Sequence, residues 1–368
     1  MRIKKVIIYQ VNIPLKFPFK IALGTTTVAE NMFVKIETDQ GIYGWGEGSP
    51  YSPVVGETQK SCITVARDIA KFLLGKDPLN IKQIVTSLER IFPFNPTTRS
   101  AFDMALYDIL AKVADLPLYR LLGGQERELF TDYTIGLETP EEMAEKAEWA
   151  VSEGFSIIKI KLGTNIDVDM QRIRSVYNVT RDGILLRIDA NQGWEKAEAV
   201  KFLKAVENMP IQFCEQPVPA RDLAGMRYVR SKVLIPLMAD EALFNTRDAL
   251  TLFFNEICDY FNIKLAKTGG FTEAIKLVSL AETLNVPCMI GCMNETRLGL
   301  TAAAHLAMAF PFIRFIDLDS AFMHSTDPIL GGIMYVKGRM LVPDNPGLGV
   351  DVDPEFVDKL EQVEVKEV

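Results

Sequence analysis

IIKIK at 157–161, ILLRID at 184–189, IQFCE at 211–215, LIPLMAD at 234–240 and YFNIK at 260–264 are short apolar runs, each with a charged residue at its C-terminal end. Those residues are Lys161, Asp189, Glu215, Asp240 and Lys264, and they recur every 24 to 28 positions. Each run has the length and apolar character of a strand. Amphipathic helical stretches lie between them, such as AEAVKFLKAVEN at 197–208 and FTEAIKLVSLAETLN at 271–285, the latter stopped by Val286-Pro287. A β–α period of this kind builds a (β/α)8 barrel, whose reactive groups sit at the C-terminal ends of its strands. Working outward, the predicted strands are 131–136, 157–161, 184–189, 211–215, 235–240, 260–264, 287–292 and 313–318.

The remaining sequence does not alternate in this way. Residues 1–55 read as strands joined by turns, and 57–115 as helices, with RSAFDMALYDILAKVADLPL (99–118) apolar at helical spacing until Pro117. Strands followed by helices predict a separate α+β domain over 1–125, ahead of a barrel over 126–339. The tail, 340–368, is expected to return to the first domain. GWGEG at 44–48 superficially resembles a dinucleotide-binding glycine loop, but Pro50 and Pro53 follow where a helix should open, so a turn ending a strand is the better reading.

Composition narrows the chemistry. The chain has 368 residues, a net charge of −8 and two histidines. The negative charge argues against a nucleic-acid partner. No apolar run approaches the ~18 residues of a membrane span. His305 lies in a helical run and His324 in a loop, which disfavours a histidine-centred zinc site or a serine–histidine–aspartate triad. Cysteines 62, 214, 258, 288 and 292 form no paired framework, so reduced thiols and a cytoplasmic location are expected. A homo-oligomer is left open. The chemistry must be sought in carboxylates and lysines.

Asp189, Glu215 and Asp240, on three consecutive strands, would converge at one rim. Three oxygen ligands without sulfur or imidazole suit a hard divalent cation, Mg2+ above all. Lys159 and Lys161 alternate on one strand and point to one face. Free lysine is only ~0.04% neutral at pH 7. Two neighbouring ammonium groups beside a cation depress each other's pKa, which would bring Lys161 toward the range of a working base. Lys159 would assist it and steady developing negative charge, while Lys264 approaches from the far side. Two bases flanking a carbon beside Mg2+ suit removal of a proton next to a carboxylate and its return from the opposite face, through an enediolate.

With KIK at 159–161, DAN at 189–191, EQP at 215–217, DE at 240–241, NIKLAKTGG at 262–270 and FDMALYDILAKVADLPLYRLLGG at 102–124, the chain resembles the muconate-lactonizing subgroup of the enolase superfamily over nearly its whole length. The resemblance implies an α/β fold: a modified (β/α)7β TIM barrel under an N-terminal α+β capping domain that the C-terminal tail completes. It also implies Mg2+ at Asp189, Glu215 and Asp240, with Lys161 and Lys264 as the acid/base pair. No histidine occurs at 287–295, which favours the lysine branch over the mandelate-racemase branch.

RFIDLDS (314–320) places Asp317 and Asp319 on one face of the last strand end. In dipeptide epimerases, which this region resembles, such a DxD holds the substrate's free ammonium group. Thr134, Cys292 and Met293 are further substrate-site candidates. Relatives acting on Ala-Glu resemble PFKTALR in the capping loop, where the Arg receives the glutamate carboxylate. Here the run is PFKIALG (18–24), ending in Gly24. Phe19, Ile21 and the loop YSPVVGE (51–57) would then shape a pocket for a small or hydrophobic second residue, unless Lys20 or Arg297 supplies the missing charge. The expected activity is inversion at the C-terminal residue of such dipeptides. The alternatives are o-succinylbenzoate synthase or N-acylamino-acid racemase, more distantly a cycloisomerase, and a catalytically silent scaffold.

Overall fold

The computed structural model describes residues 1–180 and 183–367. Eight parallel strands follow one another in sequence order around a barrel: Tyr133–Ile135, Ile157–Lys161, Leu185–Asp189, Ile211–Glu215, Leu237–Ala239, Tyr260–Ile263, Cys288–Gly291 and Ile313–Asp317. They are called barrel strands one to eight below, and each falls inside one of the eight predicted runs. Strands eight and one close the ring through single contacts rather than a ladder. Asp132 N–H donates to Ile316 O at 3.4 Å, and Leu318 N–H to Thr131 Oγ1 at 2.9 Å. Helical segments follow strands one to seven, whereas strand eight runs into one 3-10 turn, Ser320–Met323, which gives the (β/α)7β arrangement.

The period-two alternation explains why such apolar strands carry charge. Ile158, Ile160, Leu186 and Ile188 face the helices, while Lys159, Lys161, Arg187, Asp189, Phe213 and Glu215 face inward. The interior is therefore graded. Its floor is Phe213, Met238 and Met289. The Arg187 guanidinium lies 5.3 Å from the Phe213 ring and pairs with Asp132 at 2.7 Å. The carboxylates and lysines form the layer above.

The first domain is a four-stranded antiparallel sheet in the order 362–366, 3–21, 24–38, 43–48. From the tail, residues 362–366 join this sheet, with Val6 opposite Val365, whereas Arg339–Leu341 pairs with 334–336 and Val350–Val352 with 329–331. Helices Gln59–Leu73, Ile81–Ile91 and Pro96–Val113 cover one face, burying Val6, Ile8, Val34 and Ile36 against Cys62, Ile69, Leu88 and Phe102. The GWGEG run is a close-packed strand. A Cβ at Gly46 would sit 1.8 Å from the carbonyl oxygen of Ala101 in the helix beneath.

Two polar clamps fix this domain on the barrel. Buried Glu47 accepts from Asn31 Nδ2 (2.8 Å), Thr296 N–H (2.9 Å) and Gly299 N–H (2.8 Å). Buried Asp103 accepts from Thr272 N–H at 3.0 Å. The hairpin of 3–21 and 24–38 reaches beyond its own sheet, and its tip lands on the barrel mouth, where Leu137 N–H donates to Lys20 O at 2.8 Å. Among the described residues, no helix is long and apolar enough to cross a membrane.

Candidate active site

Asp189 ends strand three, Glu215 ends strand four and Asp240 follows strand five; all three are buried. Their partners are lysines. Lys161 Nζ lies 2.6 Å from Asp189 Oδ2, and Lys159 Nζ 3.3 Å from the same oxygen. Lys159 also meets Glu215 Oε2 and Asp317 Oδ2, each at 2.7 Å. Lys264 Nζ lies 2.7 Å from Asp240 Oδ2. Strands two and six, which carry Lys161 and Lys264, stand opposite one another in a ring of eight, with the three acids on the arc between them. Gly291 on the neighbouring strand makes room for the second lysine, since a Cβ there would lie 3.1 Å from Lys264 Cε.

The carboxylates around them set the electrostatics of Lys159 and Lys264. Burial pulls Lys159 down, but Asp317, Glu215 and Asp189 outweigh it and hold the ammonium well above the ordinary lysine range. Lys264 is likewise raised, because Asp240 and Glu215 overcome its desolvation. Mutual depression between neighbouring ammonium groups does not govern Lys159, because the carboxylates stand closer. Lys159 is a fixed positive charge beneath the site.

The residues fit a divalent cation. The donors on strands three to five are all oxygens, and several buried ones accept no hydrogen bond: Asn191 Oδ1, Glu241 Oε2 and, apart from its ion pair with Lys159, Glu215 Oε2. Burial and the neighbouring acids push Glu215 up to about 7 and Glu241 up to about 8. Despite burial, the lysines hold the Asp189 and Asp240 carboxyls low, and a hard cation among these oxygens would favour the charged forms of Glu215 and Glu241 as well.

Across the barrel, on the strand-eight side, carboxylate oxygens of Asp317 and Asp319 and the Cys292 sulfur lie within 4.8 Å of one another. Thr134 contributes its backbone N–H, which donates to Asp319 Oδ2 at 2.6 Å. Burial and then Asp317 raise the Asp319 carboxyl to about 6. Met293 directs its N–H to the Glu295 carboxylate. At the hairpin tip, Ile21 pairs with Gly24. A Cβ at Gly24 would lie 3.5 Å from the Tyr51 hydroxyl, and one at Gly136 would lie 3.1 Å from Phe19 Cδ2. The 18–24 and 51–57 segments therefore meet over the mouth.

Arg297 does not supply the missing charge. Its guanidinium is tied to Asp327 at 2.5 Å and to the carbonyls of Ile329, Gly331 and Ile333. Lys20 is exposed, and with Lys146 it lowers Glu142, a carboxyl held down first by hydrogen bonds from Thr139. Two residues escaped the sequence reading. Lys267, buried, bonds the Asp240 carboxylate and its carbonyl and reaches Asn262 O at 3.1 Å. Asn262 Nδ2 donates to Glu215 Oε1 at 2.6 Å. Asn262 left a signal in the sequence, because period two puts it on the strand face that leads to Lys264, whereas Lys267, beyond the strand end, left none.

Comparison with known proteins shows the family. Residues 142–356 match the family "Enolase C-terminal domain-like", and residues 3–123 match "Mandelate racemase / muconate lactonizing enzyme, N-terminal domain". The chain is 42% identical to a hydrophobic dipeptide epimerase of Enterococcus faecalis, over 95% of this chain and 99% of that one. It is 40% identical to a D-Ala-D/L-Ala epimerase of Cytophaga hutchinsonii, over 99% of both. The crystal structure of a Cytophaga hutchinsonii dipeptide epimerase with Mg and D-Ala-L-Val superimposes with a TM-score of 0.98, at 39% identity and covering 100% of both chains. Both family models and these relatives show that the chain belongs to the mandelate racemase / muconate lactonizing enzyme family.

Proposed function

We propose that this protein is a Mg2+-dependent dipeptide epimerase, an isomerase that inverts the α-carbon of the C-terminal residue in dipeptides with small or hydrophobic side chains. One observation carries the reading. The acids of strands three to five face the DxD of strand eight across the barrel, and the two lysines occupy the flanks between them. A dipeptide has a carboxylate at one end and an ammonium at the other. Laid across that axis, it presents its second α-carbon to both lysines.

Lys161 or Lys264 takes the α-proton, according to the epimer bound, and the other returns a proton to the opposite face. When bound at Asp189, Glu215 and Asp240, Mg2+ supplies the positive charge that makes a proton beside a carboxylate removable. Lys159 holds a fixed positive charge under the same oxygens. Asp317 and Asp319 orient the substrate through its ammonium, and Phe19, Ile21, Gly24 and Tyr51 bound the side-chain end without a counter-ion for a second carboxylate. The relatives named for hydrophobic and Ala-Ala dipeptides support this preference. Five unpaired cysteines suit a cytoplasmic setting.

The test is deuterium uptake from D2O by mass spectrometry, in a pool of Ala-X and X-Ala dipeptides with Mg2+ or EDTA. The expected result is one Mg2+-dependent deuteron in dipeptides ending in small or apolar residues and little in those ending in Glu. Exchange confined to N-succinyl amino acids would replace the reading with the racemase or synthase one.

Asp319→Asn separates the same alternatives. Asparagine's Oδ1 can keep the bond from Thr134 N–H while the charge is lost, so KM for dipeptides should rise about 10- to 100-fold, the worth of a charge-assisted hydrogen bond. Equal KM values for the variant and the parent would remove the ammonium role.

A further inference from the structure

Outside the barrel mouth, a cleft of about 900 Å3 opens between the capping domain and the loops after strands five and six. Arg99, in the first turn of helix Pro96–Val113, lies in its wall with 8% of its surface exposed. Its guanidinium is stacked on the turn at Gly269, where a Cβ would lie 3.2 Å from both Cζ and Nη2. Its Nε is fully buried and has no partner, and no carboxylate lies within ion-pair distance among the described residues. The acids that face it are committed elsewhere or stand off. Glu57 caps Thr97 and Thr98, Asp103 holds Thr272, Glu273 holds Thr246 and Lys276, and Glu89 is exposed beyond pairing range.

Arginine presents a planar fork of donors that suits a two-oxygen anion. A guanidinium that is 8% exposed, with its Nε buried and unpartnered and no ion-pair partner among the described residues, has its donors available to an anion. The surroundings favour the same ligand. Arg90 and Arg247 stand exposed at the rim, and Phe94 and Phe244 offer apolar walls. The volume exceeds what a bare ion fills and suits a small organic molecule. Lys267 belongs to both sides: it lines this cleft while its ammonium holds Asp240.

We propose that this cleft is a second binding site, distinct from the catalytic one, which takes a small organic anion by its carboxylate or phosphate group on Arg99. It sits against the turn that carries Lys264 and Lys267, so occupancy would brace the capping domain on that turn.

Calorimetric titration of the full chain with benzoate, and separately with phenyl phosphate, tests this. The chain is first stripped of metal with EDTA and then dialysed free of the chelator, so that no metal in the barrel can hold the anion and no added carboxylate competes for the cleft. Saturable one-site binding is expected, weakened about tenfold or more by Arg99→Gln, as loss of a charge-assisted pair predicts. Tighter binding of benzoate assigns the site to carboxylates, and tighter binding of phenyl phosphate assigns it to phosphate esters. The absence of saturable binding of either anion overturns the proposal. So does unchanged affinity in a folded Arg99→Gln, which would mean that water alone satisfies the arginine. Should Arg99→Gln not fold, the double variant Arg90→Gln/Arg247→Gln carries the test: a severalfold loss that vanishes at high salt supports the site, and no loss removes it. The readout is binding without metal, so it stands whether or not the epimerase reading survives.

Discussion

Lys161→Arg and Lys264→Arg are each expected to stop net inversion, lowering kcat/KM by about 10²–10⁴-fold, the usual contribution of a positioned acid/base group. Arginine is the sharper substitution. It keeps a positive charge beside Asp189 or Asp240, 2.6 and 2.7 Å from the present ammonium groups, so neither carboxylate is left buried and alone. It does not lose a proton in the working range and cannot be the base. The two variants should differ in a way that only a two-base site predicts. Each should still wash deuterium into the one epimer whose proton faces the surviving lysine, with retention of configuration, and the two variants should favour opposite epimers. The double variant should do neither. Exchange of both epimers in either single variant would mean that one base serves both faces, contrary to the placement of these lysines on opposite strands.

Glu215→Gln is expected to lower turnover by at least about 10²-fold, in keeping with the several kcal/mol that a Lewis-acid cation contributes, and to weaken Mg2+ binding measured directly by calorimetry. Glu215 is the central member of the three acids. Its Oε1 accepts from Asn262 at 2.6 Å, and its Oε2 makes no hydrogen bond. Glutamine is nearly isosteric, so the barrel should fold, and Lys159 keeps Asp189 and Asp317. Removing Mg2+ from the unaltered protein with EDTA should reproduce the loss, and restoring it should recover activity in the parent but not in the variant. Full activity after either treatment would sink the metal assignment.

Much of this site was legible because buried parallel strands make charge conspicuous. A lysine or aspartate ending a run such as IIKIK or ILLRID has few reasons to be there except function, so eight strands and three acids could be placed by their period. Other features depend on distance between elements and leave no such mark. Lys267 lies in a four-residue helix whose sequence reads as a tight turn, and only the fold brings its ammonium onto Asp240. Arg99 opens the helical run at 99–118, and only the fold packs its guanidinium on the turn at Gly269. The hairpin tip was recognisable as a loop, but its landing on residue 137 follows from strand length and a bulge between Pro14 and Phe19. Gly24 holds a φ of 148°, a conformation that side-chain-bearing residues rarely adopt, so its lack of a counter-ion is built into the backbone as well as the sequence.

The strand at 362–366 has a consequence for how the molecule is made. Residues 3–21 leave the ribosome long before residues 362–366, the partner for their outer edge. Throughout translation of the barrel, that edge offers unpaired amides and carbonyls, a template for strands of other chains. The protein is therefore most prone to aggregate before the strand at 362–366 emerges. Deleting residues 362–366 would make that transient exposure permanent, even though every group of the reaction site would remain in place.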